Sequence, residues 1–245
     1  MDKRIFEIES NRPLTEQVFE MRLRGDATAI RRAGQFVNIA VEGLFLRRPI
    51  SVCDFTDDTL TIIYKVVGEG TARMAKMQAG ERLDILTGLG NGFDADRTTS
   101  KALLVGGGVG VPPLYRLTKD LVARGKEVTA VLGFNRADEI FYADEFAAAG
   151  ARVIIATADG SVGTKGFVTD AIRENGVVSD YFYACGPLPM LRALCDATAT
   201  DGELSFEERM GCGFGACMGC SCKTHKGNKR ICKEGPVLRK EEIIW

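Results

Sequence analysis

Up to about residue 95 the chain alternates apolar and polar positions in short runs, RIFEIE, VFEMRL, FVNIAV, ISVCDF, TLTIIYKVV and RLDIL, set apart by Gly, Asp and Pro. A period of two over runs this short predicts strands with one buried face, and six of them in close succession predict a small antiparallel barrel. The stretch TARMAKM, residues 71 to 77, predicts one short helix among them.

From residue 101 the rhythm changes. KALLVGG, VTAVLGF, RVIIAT and YFYACG read as strands, and helical patterns lie between them at about 112 to 124, 138 to 148 and 166 to 175, with LPMLRALCDAT closing the series. Strand alternating with helix predicts a parallel α/β sheet covered on both faces. After about residue 203 glycine and cysteine become dense and regular periodicity stops. The expected organisation is an N-terminal antiparallel β-barrel over 1–95, a parallel α/β nucleotide-binding domain over 96–202 and a small cysteine-rich domain over 203–245. At 245 residues the chain is long enough for two compact units and an appendage.

Composition narrows the function classes. A formal charge of −1 gives no electrostatic reason to expect nucleic acid or an anionic membrane surface as a partner. No apolar run has the length of a signal peptide or a membrane span, so a cytoplasmic chain is expected. Thiols stay reduced there, and eight cysteines with half of them in one short segment point to metal or redox chemistry rather than disulfides.

That segment, MGCGFGACMGCSCKT, places Cys212, Cys217 and Cys220 in a C-x4-C-x2-C spacing, with Cys232 following after eleven intervening residues. This is the opening of plant-type [2Fe–2S] sites, in which four thiolates hold two irons. The small residues Gly211, Gly213, Gly215, Ala216 and Gly219 let backbone N–H groups approach the sulfurs. Structural zinc is the alternative, although it more often shows paired C-x2-C knuckles or cysteines combined with histidine, and only one such knuckle is present. With a single histidine, His225, a Rieske centre is excluded. Cys222 is an extra thiol nearby, and Cys53 and Cys195 read as core residues.

In the first unit, LRRPISVCD brings Arg48, Pro49, Ile50 and Ser51 to a strand edge. This sequence can offer a guanidinium to a pyrophosphate, a fixed turn, and a hydroxyl to a flavin ring. Gly70 and Thr71, where the short helix opens, put free N–H groups where a phosphate would sit. A surface Arg-Pro turn and an ordinary capped loop would carry the same residues. In the second unit, LLVGGGVGVPPLYRL runs a strand into Gly106, Gly107, Gly108 and Gly110 and then a proline-opened helix, a turn that lets backbone approach a pyrophosphate. It lacks the G-K-[S/T] ending of a Walker loop, so ATP hydrolysis has no support. Cys185, Gly186 and Pro187 end the last strand, where parallel sheets bind ligands. A tight strand-to-helix turn and a buried small cysteine are the bland readings of these two motifs.

In combination these motifs resemble the ferredoxin-reductase superfamily, whose barrel carries an R-x-x-S flavin motif and whose second domain binds a nicotinamide dinucleotide. The resemblance implies FAD contacts at Arg48, Pro49, Ile50 and Ser51, with Ile63, Tyr64 and Lys65 beside the flavin and Gly70 and Thr71 at its pyrophosphate. NAD would be met by Gly107, Gly108 and Gly110, and at its nicotinamide end by Cys185, Gly186 and Pro187. A nicotinamide exchanges two electrons as a hydride and an iron–sulfur cluster takes one at a time, so a flavin has to stand between them. No acid–base pair or nucleophile triad stands out, which suits hydride and electron transfer.

The order of parts, with EERMGCGFGACMGCSC and then ICKEGPVL, resembles over essentially the whole chain the electron-transfer subunits of class 1B dihydroorotate dehydrogenases. That resemblance implies pyrimidine biosynthesis, a cluster held by Cys212, Cys217, Cys220 and Cys232, and a catalytic FMN subunit as partner in a heterotetramer of two plus two. Dihydroorotate chemistry would lie on the partner and NAD would be the small-molecule substrate. A flavin and iron–sulfur subunit of a sulfhydrogenase or ferredoxin:NADP reductase shares the architecture, and a zinc-stabilised nucleotide-binding module is the reading without redox chemistry. Asn135 and Arg136 follow VLGF at the position that would face a 2′-phosphate.

Overall fold

The computed structural model describes residues 1–245. Six strands, β1 (Asp2–Pro13), β2 (Val18–Arg24), β3 (Phe36–Ile39), β4 (Arg48–Phe55), β5 (Thr59–Lys65) and β6 (Arg82–Leu89), close into a barrel in the order β1-β2-β5-β4-β3-β6. All its pairings are antiparallel. Its interior is the alternate apolar set of the expected runs, among them Phe6, Ile8, Met21, Leu23, Val52, Leu60, Ile62 and Ile85. Closure leaves no free strand edge, which is how a sheet this small avoids edge pairing.

The short helix α1 (Glu69–Met74) begins and ends earlier than the sequence pattern suggests. Thr71 Oγ1 accepts from the Val67 and Gly68 N–H groups at 3.0 and 3.3 Å and donates to Gly68 O, so the turn closes two residues before the apolar repeat begins.

The second unit is a seven-stranded sheet in the order β10-β9-β8-β7-β11-β12-β15. Its strands are β7 (Lys101–Gly107), β8 (Glu127–Phe134), β9 (Arg152–Thr157), β10 (Thr164–Lys165), β11 (Tyr181–Cys185), β12 (Gly202–Ser205) and, after the hairpin β13 (Ser221–Thr224) and β14 (Gly227–Arg230), β15 (Val237–Arg239). Every pairing is parallel except β12 with β15. The helices are α2 (Pro112–Ala123), α3 (Ala143–Ala148), α4 (Val168–Glu174) and α5 (Leu188–Ala197). Both faces of the sheet are buried, which explains the unbroken apolar runs: Ala102 and Leu104 of β7 pack with α2 and α3, whereas Leu103 and Val105 pack with α4 and α5.

The helix expected over 138 to 148 is instead a 3₁₀ turn (Ala137–Glu139), a break and then α3. Tyr142 interrupts it with φ 64°, in the left-handed region, and its buried ring faces the barrel.

Two contacts weld the units. Helix α2 lies across β4, with Lys119 Nζ 2.7 Å from Asp54 and the Arg116 guanidinium 4.2 Å over the Phe55 ring. A bulge in β4 after Val52 turns Val52 into the barrel and Cys53 into the core shared with α2 and Tyr142. The boundary expected near residue 202 falls at the start of β12, and both β12 and β15 extend the nucleotide sheet. The cysteine-rich segment therefore packs Cys220, Ile231, Cys232 and Leu238 into one core with Phe36 and Leu89 of the barrel.

Candidate functional site

The chain runs β7, β8, β9, β10 outward in one direction and then returns to lay β11 on the other side of β7. Strand order reverses between β7 and β11, and ligands of open parallel sheets bind beyond the carboxyl ends of strands at such a point. Gly106 pairs with Cys185 there, so the glycine turn and the C-G-P turn are forced together. A Cβ on Gly110 would lie 2.2 Å from Cys185 O, and one on Gly107 would lie 2.6 Å from Met190 Sδ and 3.1 Å from Pro187 Cδ. No larger residue fits at Gly110, because its neighbour is backbone. The turn opens the twelve-residue helix α2, which starts with Pro112 and Pro113; neither has an N–H, so the backbone donors at the crevice mouth are those of the glycine turn. It also rests on β5, so this crevice adjoins the barrel strand carrying Ile63, Tyr64 and Lys65. Burial pushes the Cys185 thiol up to about 12, so it is a neutral group at physiological pH.

On the barrel, Arg48, Pro49, Ile50 and Ser51 are half-buried along β4, beside β5. The Arg48 side chain reaches the start of α1, where its Nε would sit 2.0 Å from a Cβ on Gly70. A guanidinium and the N–H groups of a tight turn therefore meet at one place, a donor set suited to a pyrophosphate. Ile63 is buried in the core between the units, and Tyr64 turns its ring into the barrel, stacked on Phe19 at 6.0 Å with its hydroxyl donating to Asn11 Oδ1 at 2.9 Å. The side chains of these two residues are thus taken up by the cores, whereas Lys65 is exposed.

Four of the five cysteines of the C-terminal segment gather as two pairs, Cys212 with Cys217 and Cys220 with Cys232. Ala216 and Cys217 N–H groups lie 3.2 and 3.5 Å from Cys212 Sγ, and the Cys232 N–H lies 3.4 Å from Cys220 Sγ. Burial pushes the Cys212 thiol upward, but the N–H groups of Cys217, Phe214 and Ala216 outweigh it and bring it down to about 6. A thiolate, the form that binds metal, is thus favoured at neutral pH. Cys232 is pushed up to about 12 by burial and by the neighbouring Cys220 thiol. Two pairs match the demand of a binuclear cluster, in which each iron takes two thiolates. Arg230 braces the loop by donating to Gly215 O at 2.6 Å, and its guanidinium holds Glu234 down at about 2. Cys222 lies on the hairpin outside both pairs, and Cys53 and Cys195 are core residues.

The structure also brings forward residues that motif reading passes over. Asn38 on β3 donates from Nδ2 to Cys212 O at 3.3 Å, joining barrel to cysteine loop. Glu20 on β2 is fully buried, accepts from Tyr142 Oη at 2.6 Å and is paired with Arg12 and Arg22 at 3.0 and 3.1 Å. The signal for Asn38 was a lone polar residue inside the apolar run FVNIAV, whereas Glu20 sits at an ordinary polar position of the alternating run VFEMRL and gives no such signal.

Comparisons with known proteins agree with this geometry. Residues 207–244 match the family model described as the iron-sulfur cluster binding domain of dihydroorotate dehydrogenase B, and residues 104–196 match the oxidoreductase NAD-binding domain. The dihydroorotate dehydrogenase B (NAD(+)) electron transfer subunit of Fusobacterium nucleatum subsp. nucleatum is 45% identical, covering 96% of each chain. The same subunit of Bacillus caldolyticus is 46% identical, covering 97% of this chain and 96% of its own. Among solved structures, one from an NADH-dependent reduced ferredoxin-NADP oxidoreductase, studied for flavin-based electron bifurcation, is 30% identical with a TM-score of 0.89, covering 98% of this chain and 90% of that one. A Neisseria gonorrhoeae ferredoxin NADP+ reductase with bound FAD and NADP shares the fold at 18% identity and a TM-score of 0.69, over 80% and 90% of the two chains. Identity at this level along nearly the full length places the chain in the family of dihydroorotate dehydrogenase B (NAD(+)) electron transfer subunits.

Proposed function

We propose that this chain is the electron-transfer half of an enzyme that couples oxidation of dihydroorotate to reduction of NAD, in pyrimidine biosynthesis. Its partner is an FMN-containing catalytic subunit, assembled as two plus two, in the cytoplasm. The overall change is dihydroorotate + NAD⁺ → orotate + NADH + H⁺, with the carbon chemistry on the partner. FAD supplies the exchange between a hydride pair and single electrons, which a [2Fe–2S] cluster carries onward.

The chain's own residues bind and orient these groups. Cys212 with Cys217 and Cys220 with Cys232 would hold the cluster's two irons. Arg48, with the Gly70 and Thr71 N–H groups, neutralises the flavin pyrophosphate, while Pro49, Ile50 and Ser51 and the backbone of Ile63, Tyr64 and Lys65 seat the ring system. Gly107, Gly108 and Gly110 receive the NAD pyrophosphate, and Cys185, Gly186 and Pro187 border its nicotinamide. The apolar core between barrel and sheet keeps water from the junction. No side chain is required as an acid or base, since positioning carries the chemistry.

One observation carries this reading: two pairs of thiols, one on the glycine-rich loop and the other, Cys220 with Cys232, packed in one core with the barrel strand that neighbours the R-x-x-S motif. The test is anaerobic purification of the native chain. Iron and acid-labile sulfide at two each per chain, bound FAD, a paramagnetic signal on reduction by NADH, and co-purification of an FMN protein that oxidises dihydroorotate are the expected results. A colourless zinc protein would overturn the redox reading, and a coloured protein that reduces ferredoxin without such a partner would move it to another flavin and iron–sulfur complex.

A further inference from the structure

Asn38 stands where the two redox sites meet. It lies in the middle of β3, facing Pro49 of the R-x-x-S strand on one side and Leu86 of β6 on the other. Its backbone carbonyl accepts from Arg47 Nη1 at 3.3 Å, one residue before Arg48. Its side chain leaves the barrel: Nδ2 donates to Cys212 O, while Oδ1 is buried without a hydrogen-bond donor. Gly213, next to that carbonyl, has φ +77°, and a Cβ there would lie 2.3 Å from Asn38 Nδ2. The cysteine loop is thus folded tightly onto this one amide. A buried amide with an unpaired acceptor weakens a fold, and an apolar side chain suits a barrel wall better. Stability therefore gives no reason for an asparagine at this position, whereas the bond to a cysteine carbonyl does.

We propose that Asn38 is a positioning residue that ties the flavin-bearing strand to the first cluster ligand and so sets the cluster's distance and potential relative to the flavin. The inference rests on the cofactor assignment above. It goes further in naming the residue through which barrel and cluster loop are coupled. The amide acts in two ways. Its hydrogen bond fixes where the Cys212 carbonyl stands, and hence the sulfur of the same residue. Its dipole withdraws charge from the peptide that borders the thiolate, and such outer contacts tune a metal site.

The experiment compares the wild-type chain with Asn38→Leu and Asn38→Ala, each in the native complex and purified anaerobically. The alanine change only removes atoms and serves should leucine disturb folding. Four quantities are read: iron, sulfide and FAD per chain; the thermal midpoint; the rate of flavin reduction by NADH; and the cluster's paramagnetic signal, potential and rate of reduction. Flavin content and its reduction by NADH should be unchanged and the midpoint for Asn38→Leu not lowered. The cluster's signal and potential should shift, and its reduction should slow about tenfold. Loss of the cluster with flavin and midpoint retained supports the proposal equally. An unchanged signal, potential and rate in both variants overturns it, and so does joint loss of flavin, cluster and thermal stability, which would mark a merely structural residue. Wild-type protein without acid-labile sulfide would overturn the cofactor reading itself, and this inference with it.

Discussion

At the scale of single residues, the site separates groups that bind from groups that brace. Cys217 is exposed and belongs to the pair whose N–H donors stabilise a thiolate. Cys217→Ser is expected to abolish the visible signal of the cluster and leave FAD largely bound, because the flavin residues lie on the barrel; metal and flavin analysis of one preparation checks both. If flavin vanished while iron stayed, the assignment of cofactors to units would be wrong. The Arg48 guanidinium lies against the Gly70 turn. Its loss to alanine removes a charge-assisted contact, and FAD affinity should fall by about tenfold, the effect of roughly 1.5 kcal/mol, in a flavin-release titration. At this scale the motifs were legible because chemistry dictates residue type: thiolates for iron, a guanidinium for phosphate, glycine where backbone meets backbone. Asn38 and Glu20 were not legible as functional, since their meaning comes from partners 174 and 122 positions away.

Among the elements, the joint between β2 and the loop before α3 holds a buried carboxylate. Glu20 is kept ionised despite burial by Tyr142, Arg12 and Arg22, and its pKa lies below the ordinary value. Tyr142→Phe deletes one hydrogen bond to a charge and leaves both arginines in place, so a loss of about 1.5–3 kcal/mol is expected in urea unfolding. An unaltered midpoint would show that the joint adds nothing. A second carboxylate behaves oppositely. Glu203 on β12 accepts from the Asp94 N–H at 2.8 Å, yet burial pushes it up to about 7 from an ordinary 4.5. The folded state holds this proton more tightly than the unfolded chain, so the group's favourable share is complete below about pH 4.5 and is lost as pH rises through 7. Glu203→Gln should flatten that slope and raise stability at pH 8 by up to roughly 3 kcal/mol, read from unfolding curves between pH 5 and 8. Strands and helices matched their periodic patterns closely. The exceptions, the early start of α1 and the break at Tyr142, were set by a threonine side-chain bond and by a tyrosine drawn to a carboxylate on another unit, neither of which periodicity records.

For the whole molecule, the arrangement is a junction of three cofactor sites held by shared cores. The C-terminal segment does not stand apart: Asn91 at the barrel's exit bonds to Val237 O at 2.7 Å and accepts from the Val237 N–H at 3.1 Å, and β15 completes the nucleotide sheet. A chain ending at residue 205 should therefore lose more than its iron. It would expose Phe36, Leu89 and the edge of β12, and aggregation on size-exclusion chromatography is the expected outcome; a monodisperse, FAD-loaded product would show that the segment is an independent appendage. No helix is long and apolar enough to cross a membrane. The sequence by itself determined the barrel, the parallel sheet and the four thiols at cluster spacing, because periodicity, glycine turns and ligand spacing are local properties of a chain. Only the tertiary structure decided that the sheet borrows strands from the cysteine segment, that the thiols stand as two pairs, and that Asn38 of the barrel bonds to the Cys212 carbonyl. Those facts depend on which distant residues share a core, and burial and hydrogen bonding across units choose that.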